Sequence, residues 1–163
     1  MTPTLSPRVR PLLVMAAAGA IVATSIGVWA QQAPKPENLI RWRQSAYQVV
    51  AWNTGRIKAS VDGSYNKDEV IKAANTIAAL ANTGLGTLFV PGTETGKGWH
   101  DTSVKPALFT DAKRVAELQA SFTKEANELA KLALTGDAAA VKEQHGKLTR
   151  TCKACHDDFR NSN

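Results

Sequence analysis

Thr151-Cys152-Lys153-Ala154-Cys155-His156-Asp157-Asp158-Phe159-Arg160 lies at the end of a chain of 163 residues and holds both of its cysteines. Two cysteines two residues apart, followed at once by histidine, form the C-x-x-C-H spacing of covalent c-type haem attachment. On a helix, positions i and i+3 lie on nearly one face, so Cys152 and Cys155 can each form a thioether to one of two vinyl groups on the same porphyrin edge. His156, one residue on, is then placed to ligate the iron from the proximal side. A zinc site would need further Cys or His donors, and only His100 and His145 remain. A thioredoxin-like pair opens a helix in a βαβ pattern, whereas this pair closes a helical run. A local disulfide is the remaining alternative.

At the other end, Arg8 and Arg10 precede an apolar run from Leu12 to Val28, and Val28-Trp29-Ala30 places small residues where a leader is cut. That pattern is a secretory signal peptide over residues 1–30, with a domain over 31–163. A retained membrane anchor is the alternative, since the run approaches bilayer-spanning length. The 133 residues left after Ala30 suffice for one core. Losing Arg8 and Arg10 leaves 18 basic against 14 acidic residues, a formal +4. With no run of lysine or arginine, this mild balance does not suggest nucleic acid.

Between these ends the pattern is helical. Pro36 and Glu37 suit a first turn. Leu39 or Ile40, Arg43, Tyr47, Val50, Thr54, Ile57 and Val61 then form one stripe, on which Arg43 and Tyr47 call for polar partners. Asp62-Gly63-Ser64 is a turn. Val70, Ile71, Ala74, Ile77, Ala78 and Ala81 mark a second helix from Lys67, ending near Asn82-Thr83-Gly84. A third, capped by Thr110 or Asp111, runs through Val115, Leu118, Phe122, Leu129 and Leu132 to Leu134 and stops at Gly136. Asp137 caps a fourth with Val141, Leu148, Cys152, Cys155 and Phe159 along it. The expectation is an all-α antiparallel four-helix bundle with covalent haem near its C-terminus. From Gly84 to Thr110 no period holds. A loop so long is functional or disordered, and Leu88, Phe89, Trp99, Leu108 and Phe109 are expected to pack it onto the core.

These features together resemble the cytochromes c′, the high-spin bundle cytochromes. The likeness spans the predicted mature chain through Lys35-Pro36-Glu37, Trp42-Arg43-Gln44-Ser45-Ala46, Pro91-Gly92-Thr93-Glu94, Lys105-Pro106 and Cys152-Lys153-Ala154-Cys155-His156 to Arg160. It implies one haem c per chain on Cys152 and Cys155, with His156 on the iron. It also implies Arg43 and Gln44 at the haem and its propionates, Tyr47 over the distal face, Arg160 beside the proximal imidazole, and a homodimer formed through the first two helices. Glu94, Thr95 and Thr102 are the loop's candidate propionate contacts. There the chain departs from the family pattern, because Gly96 to Thr102 is longer.

Function turns on the sixth coordination position. Electron-transfer cytochromes c use His and Met ligands, yet the only methionines, Met1 and Met15, fall in the predicted leader. His145 is eleven residues before His156, so the two share a helix face about 16 Å apart and cannot bind one iron from opposite sides. His145 is read as a helix-surface or core-edge residue, and His100 lies in the central loop. The iron is therefore expected to be five-coordinate and open to diatomic gases. The implied function is periplasmic binding of nitric oxide, and of carbon monoxide in the laboratory, in a buffering or scavenging role and without catalysis. An electron carrier serving a redox partner protein is the alternative. A peroxidase-like enzyme would want a distal His or Arg at the iron, and the family role of Arg43 points elsewhere.

Overall fold

The computed structural model describes residues 33–135 and 137–161. The predicted leader and the stop at Gly136 lie outside the described residues. Four helices carry the fold: α1 (Pro36–Asp62), α2 (Lys67–Asn82), α3 (Ala112–Thr135) and α4 (Ala138–Phe159). Pro36 opens α1 where a missing N–H costs nothing. Asn66 caps α2 by accepting from Glu69 N, and Asp137 caps α4 by accepting from Ala139 N and Ala140 N. Asp111 Oδ1 accepts from Arg114 N at 3.1 Å, which makes it the start signal of α3. The chain turns back from α1 to α2 over residues 63–66, where Ser60 Oγ accepts from Asn66 N at 2.8 Å.

Packing runs α1 on α2, α2 on α3, α3 on α4, and α4 back on α1, the closed bundle that the apolar stripes imply. One dry cluster joins Val50 and Ile57 of α1, Val70 and Ile77 of α2, Leu129 of α3, and Val141 and Leu148 of α4. Ala73, Ala74, Ala126 and Ala133 are buried among them and let the backbones approach. A second, smaller cluster gathers Leu108, Leu118 and Phe159 beside Cys155. Among the described residues no helix is long and apolar enough to cross a membrane.

Side-chain placement departs from the expected stripes in several places. On α1, Asn53 and Ser60 are buried while Thr54 and Val61 are only half-buried, since a true 3.6-residue turn drifts off alternating steps of three and four. Asn53 is satisfied locally, donating to Val49 O at 2.9 Å and accepting from Arg56 Nη1 at 3.0 Å. Leu134 is exposed at the end of α3. The loop from Gly84 to Thr110 contains two short 3₁₀ turns, Leu85–Leu88 and Pro106–Phe109. Leu108 packs inward as expected, but Trp99 is 67% exposed. It lies against the outside of α1, its indole Nε1 donating to Ser45 Oγ at 2.8 Å and its ring facing Arg41.

Candidate haem site

The C-terminal turns of α4 carry Cys152, Cys155 and His156. Both cysteines are free and half-buried. Cys152 Sγ approaches Leu148 O at 3.7 Å, a weak contact, and Cys155 borders the second apolar cluster. Burial pushes both thiols' pKa up, and for Cys155 the neighbouring Asp158 adds to the rise. Thiols held neutral in this way lack the thiolate character of redox or nucleophilic pairs. A disulfide-exchange role is thus chemically disfavoured. His156 is exposed, and desolvation, then Arg160, lower its pKa while Asp157 opposes. Arg160 is also a short-range neighbour through its backbone, its N–H donating to His156 O at 3.0 Å.

This end of α4 is braced by the chain before α3 and by the first turn of α3. Lys105 N donates to Phe159 O and Asn161 N to Ser103 O, both at 2.8 Å. Lys105 Nζ donates to Asp157 O at 2.9 Å, and Arg114 Nε donates to Asp158 Oδ2 at 2.8 Å. The motif therefore sits on a held helix end.

Across from it, α1 presents Arg43, Gln44 and Tyr47. Tyr47 lies close enough to both cysteines to be influenced by their charge, and its pKa is pushed up to about 12, by burial first and then by Cys155 and Cys152. Its phenol thus stays neutral at physiological pH. Although protein surrounds it, Tyr47 keeps 37% of its surface accessible, because it borders a cavity of about 540 Å³ between the start of the central loop and α3. Its ring centroid is 6.2 Å from that of Phe89.

Arg43 is 3% exposed, and its polar partners come from the central loop. Nη1 donates to Thr93 Oγ1, and Nη2 donates to Thr93 O and Thr102 Oγ1, all at 2.7 Å. The guanidinium also faces the Phe89 ring at 5.0 Å. Burial lowers its pKa while Glu94 raises it. Gln44 turns outward. Its Oε1 accepts from Trp99 N at 2.7 Å, and its Nε2 donates to His100 O at 2.9 Å. Both ends of that amide thus hold the loop. Gly98 permits this approach, since a Cβ there would collide with Gln44 Oε1 and come within 2.9 Å of Arg41 N.

The two other histidines are tied elsewhere. His145 is buried at 8% exposure, the core-edge rather than the surface of the two positions expected, and its Nε2 donates to Thr54 O at 3.1 Å. The Nδ1 of His100 lies within hydrogen-bond distance of Asp101 O and of the Gln44 amide. The structure thus brings Tyr47 near Phe89, and Phe89 into the apolar cluster that Cys155 borders, with the Arg43 guanidinium over the same Phe89 ring. Gln44 and His100 stand apart on the outer face of α1. Thr93 was missed as a partner of Arg43, though it stands inside the Pro91-Gly92-Thr93-Glu94 segment, and Phe89 was expected only as a core contact of the loop.

Does this crevice suit a haem? A second cavity of about 250 Å³, lined by Phe89, Pro91, Leu108, Phe109 and Val115, adjoins the first. The larger lies within the roughly 300–1,000 Å³ of small-molecule and cofactor sites. Neither cavity is lined by the motif itself, but the paired neutral thiols and adjacent imidazole at the end of α4, with Cys155 packed beside Leu108, Phe109, Phe89 and Phe159, are a donor set that fits the group. Among the described residues no three or more His, Cys, Asp and Glu side chains are grouped to hold a bare metal ion.

Comparison with known proteins agrees with that fit. A family model described as Cytochrome C' matches residues 38–160. The chain belongs to the cytochrome c′ family. Cytochrome c′ of Rhodocyclus tenuis is 70% identical over 127 residues, covering 77% of this chain and 96% of that protein. A crystal structure of a cytochrome c′ with ligand-controlled dimer dissociation is 43% identical, covers 79% of this chain and 98% of its own, and superposes with a TM-score of 0.76. A ferrous variant of the Alcaligenes xylosoxidans protein with bound nitric oxide is 27% identical, with coverages of 79% and 98% and a TM-score of 0.70. Another variant of that protein holds carbon monoxide. As a cytochrome c′ the chain is a haem protein rather than an enzyme, with one covalent haem c. The family is periplasmic.

Proposed function

We propose that Cys152 and Cys155 bind the haem covalently, that His156 is the only protein ligand of its iron, and that the position beside Tyr47 receives nitric oxide or carbon monoxide. The ferrous haem supplies the coordination position for the gas. Tyr47 narrows access to it, and its phenol keeps its proton across the physiological range. Arg43, fixed by Thr93 and Thr102, keeps a positive charge at the loop side of the crevice that suits a propionate. The observation that carries this reading is that the Tyr47 ring lies near Phe89, which packs in the apolar cluster beside Cys155 at the C-x-x-C-H end of α4, in a chain with no methionine beyond Met15.

The same reading has the chain exported, cut near Ala30 and active in the periplasm as a gas buffer or scavenger. It pairs with a second copy through α1. Trp42, Val49 and Trp52 are exposed there on one helical face, an apolar stripe of the kind that marks an interface. The test is an optical titration of the ferrous protein with nitric oxide. A pentacoordinate high-spin starting spectrum that converts with one equivalent of gas is expected. A spectrum unchanged by nitric oxide would overturn the reading.

A further inference from the structure

On the outer face of α1, Trp42, Ser45, Val49 and Trp52 recur at steps of three, four and three, the spacing that lines side chains along one helix stripe. Trp42, Val49 and Trp52 are large, apolar and exposed. Ser45 leaves a small polar gap between them. Trp99 of the central loop fills it: the indole Nε1 donates to Ser45 Oγ at 2.8 Å, and the Arg41 guanidinium lies over the ring at 5.5 Å from its centroid. Trp99 stands at the tip of a turn closed by the Lys97–Asp101 bridge, by Gly98 N donating to His100 O and by Thr102 N donating to Gly96 O, both at 3.0 Å. Gln44 clamps that tip through Trp99 N and His100 O. A Cβ at residue 98 would come within 2.9 Å of Arg41 N and of Ile40 Cγ2, so the tip is pressed onto the helix. A tryptophan held at its backbone and at its ring nitrogen, and still 67% exposed, presents a fixed apolar surface to whatever meets this face.

We propose that Trp99 completes the surface on which α1 meets a second copy of this chain, so that the central loop, and not the helices alone, forms part of the homodimer interface. This rests on the reading that α1 is the pairing face, with which the Trp99 surface is continuous. The spacing favours a like partner, because steps of three and four are those by which one helix packs knobs into the holes of another. A two-fold pairing repeats every contact, so two Trp99 rings close two Ser45 gaps. A lipid surface would call for a rim of available cations. Here Arg56, beside Trp52, is paired with Glu69, and Arg41 is laid on Trp99 itself.

The test is sedimentation equilibrium of the holoprotein. Trp99→Ala should weaken dimerisation about thirtyfold, the scale of a tryptophan at the centre of an interface. Trp99→Phe, which keeps an apolar ring, should weaken it less. Because Gln44 holds the tip through backbone atoms, Trp99→Ala leaves the loop seated, and the loss reads the indole surface itself. Hydroxyl-radical footprinting of the unaltered protein gives a second readout: oxidation of Trp99 should fall together with that of Trp42 and Trp52 as concentration rises through the dimerisation range. A dimer weakened by Trp42→Ala but not by Trp99→Ala, with Trp99 oxidised equally at every concentration, would overturn the loop's part and leave the pairing of α1 standing. An unaltered protein that stays monomeric, or a dimer indifferent to Trp42→Ala, would overturn the pairing of α1 and this proposal with it. Binding to phosphatidylglycerol vesicles that is lost in Trp99→Ala while dimerisation is unchanged would give the face to lipid and overturn the proposal.

Discussion

The two apolar clusters of this bundle do different work. The larger draws residues from all four helices, and Ile57, Ile77, Leu129, Val141 and Leu148 within it are fully buried. The smaller is built from Leu108, Leu118 and Phe159 with half-buried neighbours, and it adjoins open cavities and a buried guanidinium. One region is finished by its own side chains. The other is shaped for something that the chain does not itself supply. Stability and function are thus drawn from opposite parts of one fold, and substitutions in the two parts should be separable.

The largest effect belongs to the finished cluster. Leu129→Ala removes a fully buried side chain from a cluster that draws on all four helices and should cost about 2–5 kcal/mol. Urea unfolding should show that loss with carbon monoxide affinity unchanged. A large change in affinity would mean that the two regions are not separable.

At the cofactor end the order reverses, with binding more sensitive than folding. Tyr47→Ala should strengthen carbon monoxide binding about ten- to hundredfold if the ring acts as steric cover, equivalent to roughly 1–3 kcal/mol. Tyr47→Phe should then change little. Weakening by Tyr47→Phe alone would show instead that the phenol donates a hydrogen bond to the ligand, and no effect from either would remove Tyr47 from the distal face.

Arg43 ties the two regions to the loop. Arg43→Ala leaves buried Thr93 and its neighbour Thr102 without their donor, at about 1–3 kcal/mol. Hydrogen exchange should quicken over residues 91–102 before it does in α2. Uniform quickening through the bundle would contradict a local anchor.

The smallest effect lies at the edge of the finished cluster. Burial pushes the pKa of His145 down; the Thr54 carbonyl and Asp62 oppose this, while Lys58 adds to it. The native state therefore binds a proton less readily than the unfolded chain. The neutral ring's contribution is complete above the ordinary value of about 6.5 and is lost as pH falls below it. His145→Gln keeps a donor toward Thr54 O without titrating, so its stability should fall less than the parent's between pH 7 and pH 5. Parallel curves would show that the ring does not sense the change.

The same contrast governs what the sequence made legible. Pro36, Asp137 and the turn at Asp62-Gly63 marked helix bounds through local chemistry, and the apolar stripes marked the finished cluster. The central loop had no such code. Its shape comes from Arg43 reaching Thr93 and Thr102, and from Gln44 reaching Trp99 and His100, across 50 to 59 residues of chain. Trp99 was therefore read as a core residue when it lies outside α1. His145 was read as a surface or a core-edge residue, and it is its bond to the Thr54 backbone carbonyl, which no side-chain pattern reveals, that goes with the second.

The claim that the cofactor end is left open is tested most directly by resonance Raman spectroscopy of the resting protein at neutral pH. A predominantly five-coordinate, high-spin iron is predicted, unchanged in His100→Ala because that ring is held on the outer face of α1. A low-spin, six-coordinate spectrum that disappears in His100→Ala would contradict the account, because it would show that the central loop closes the site with a second histidine.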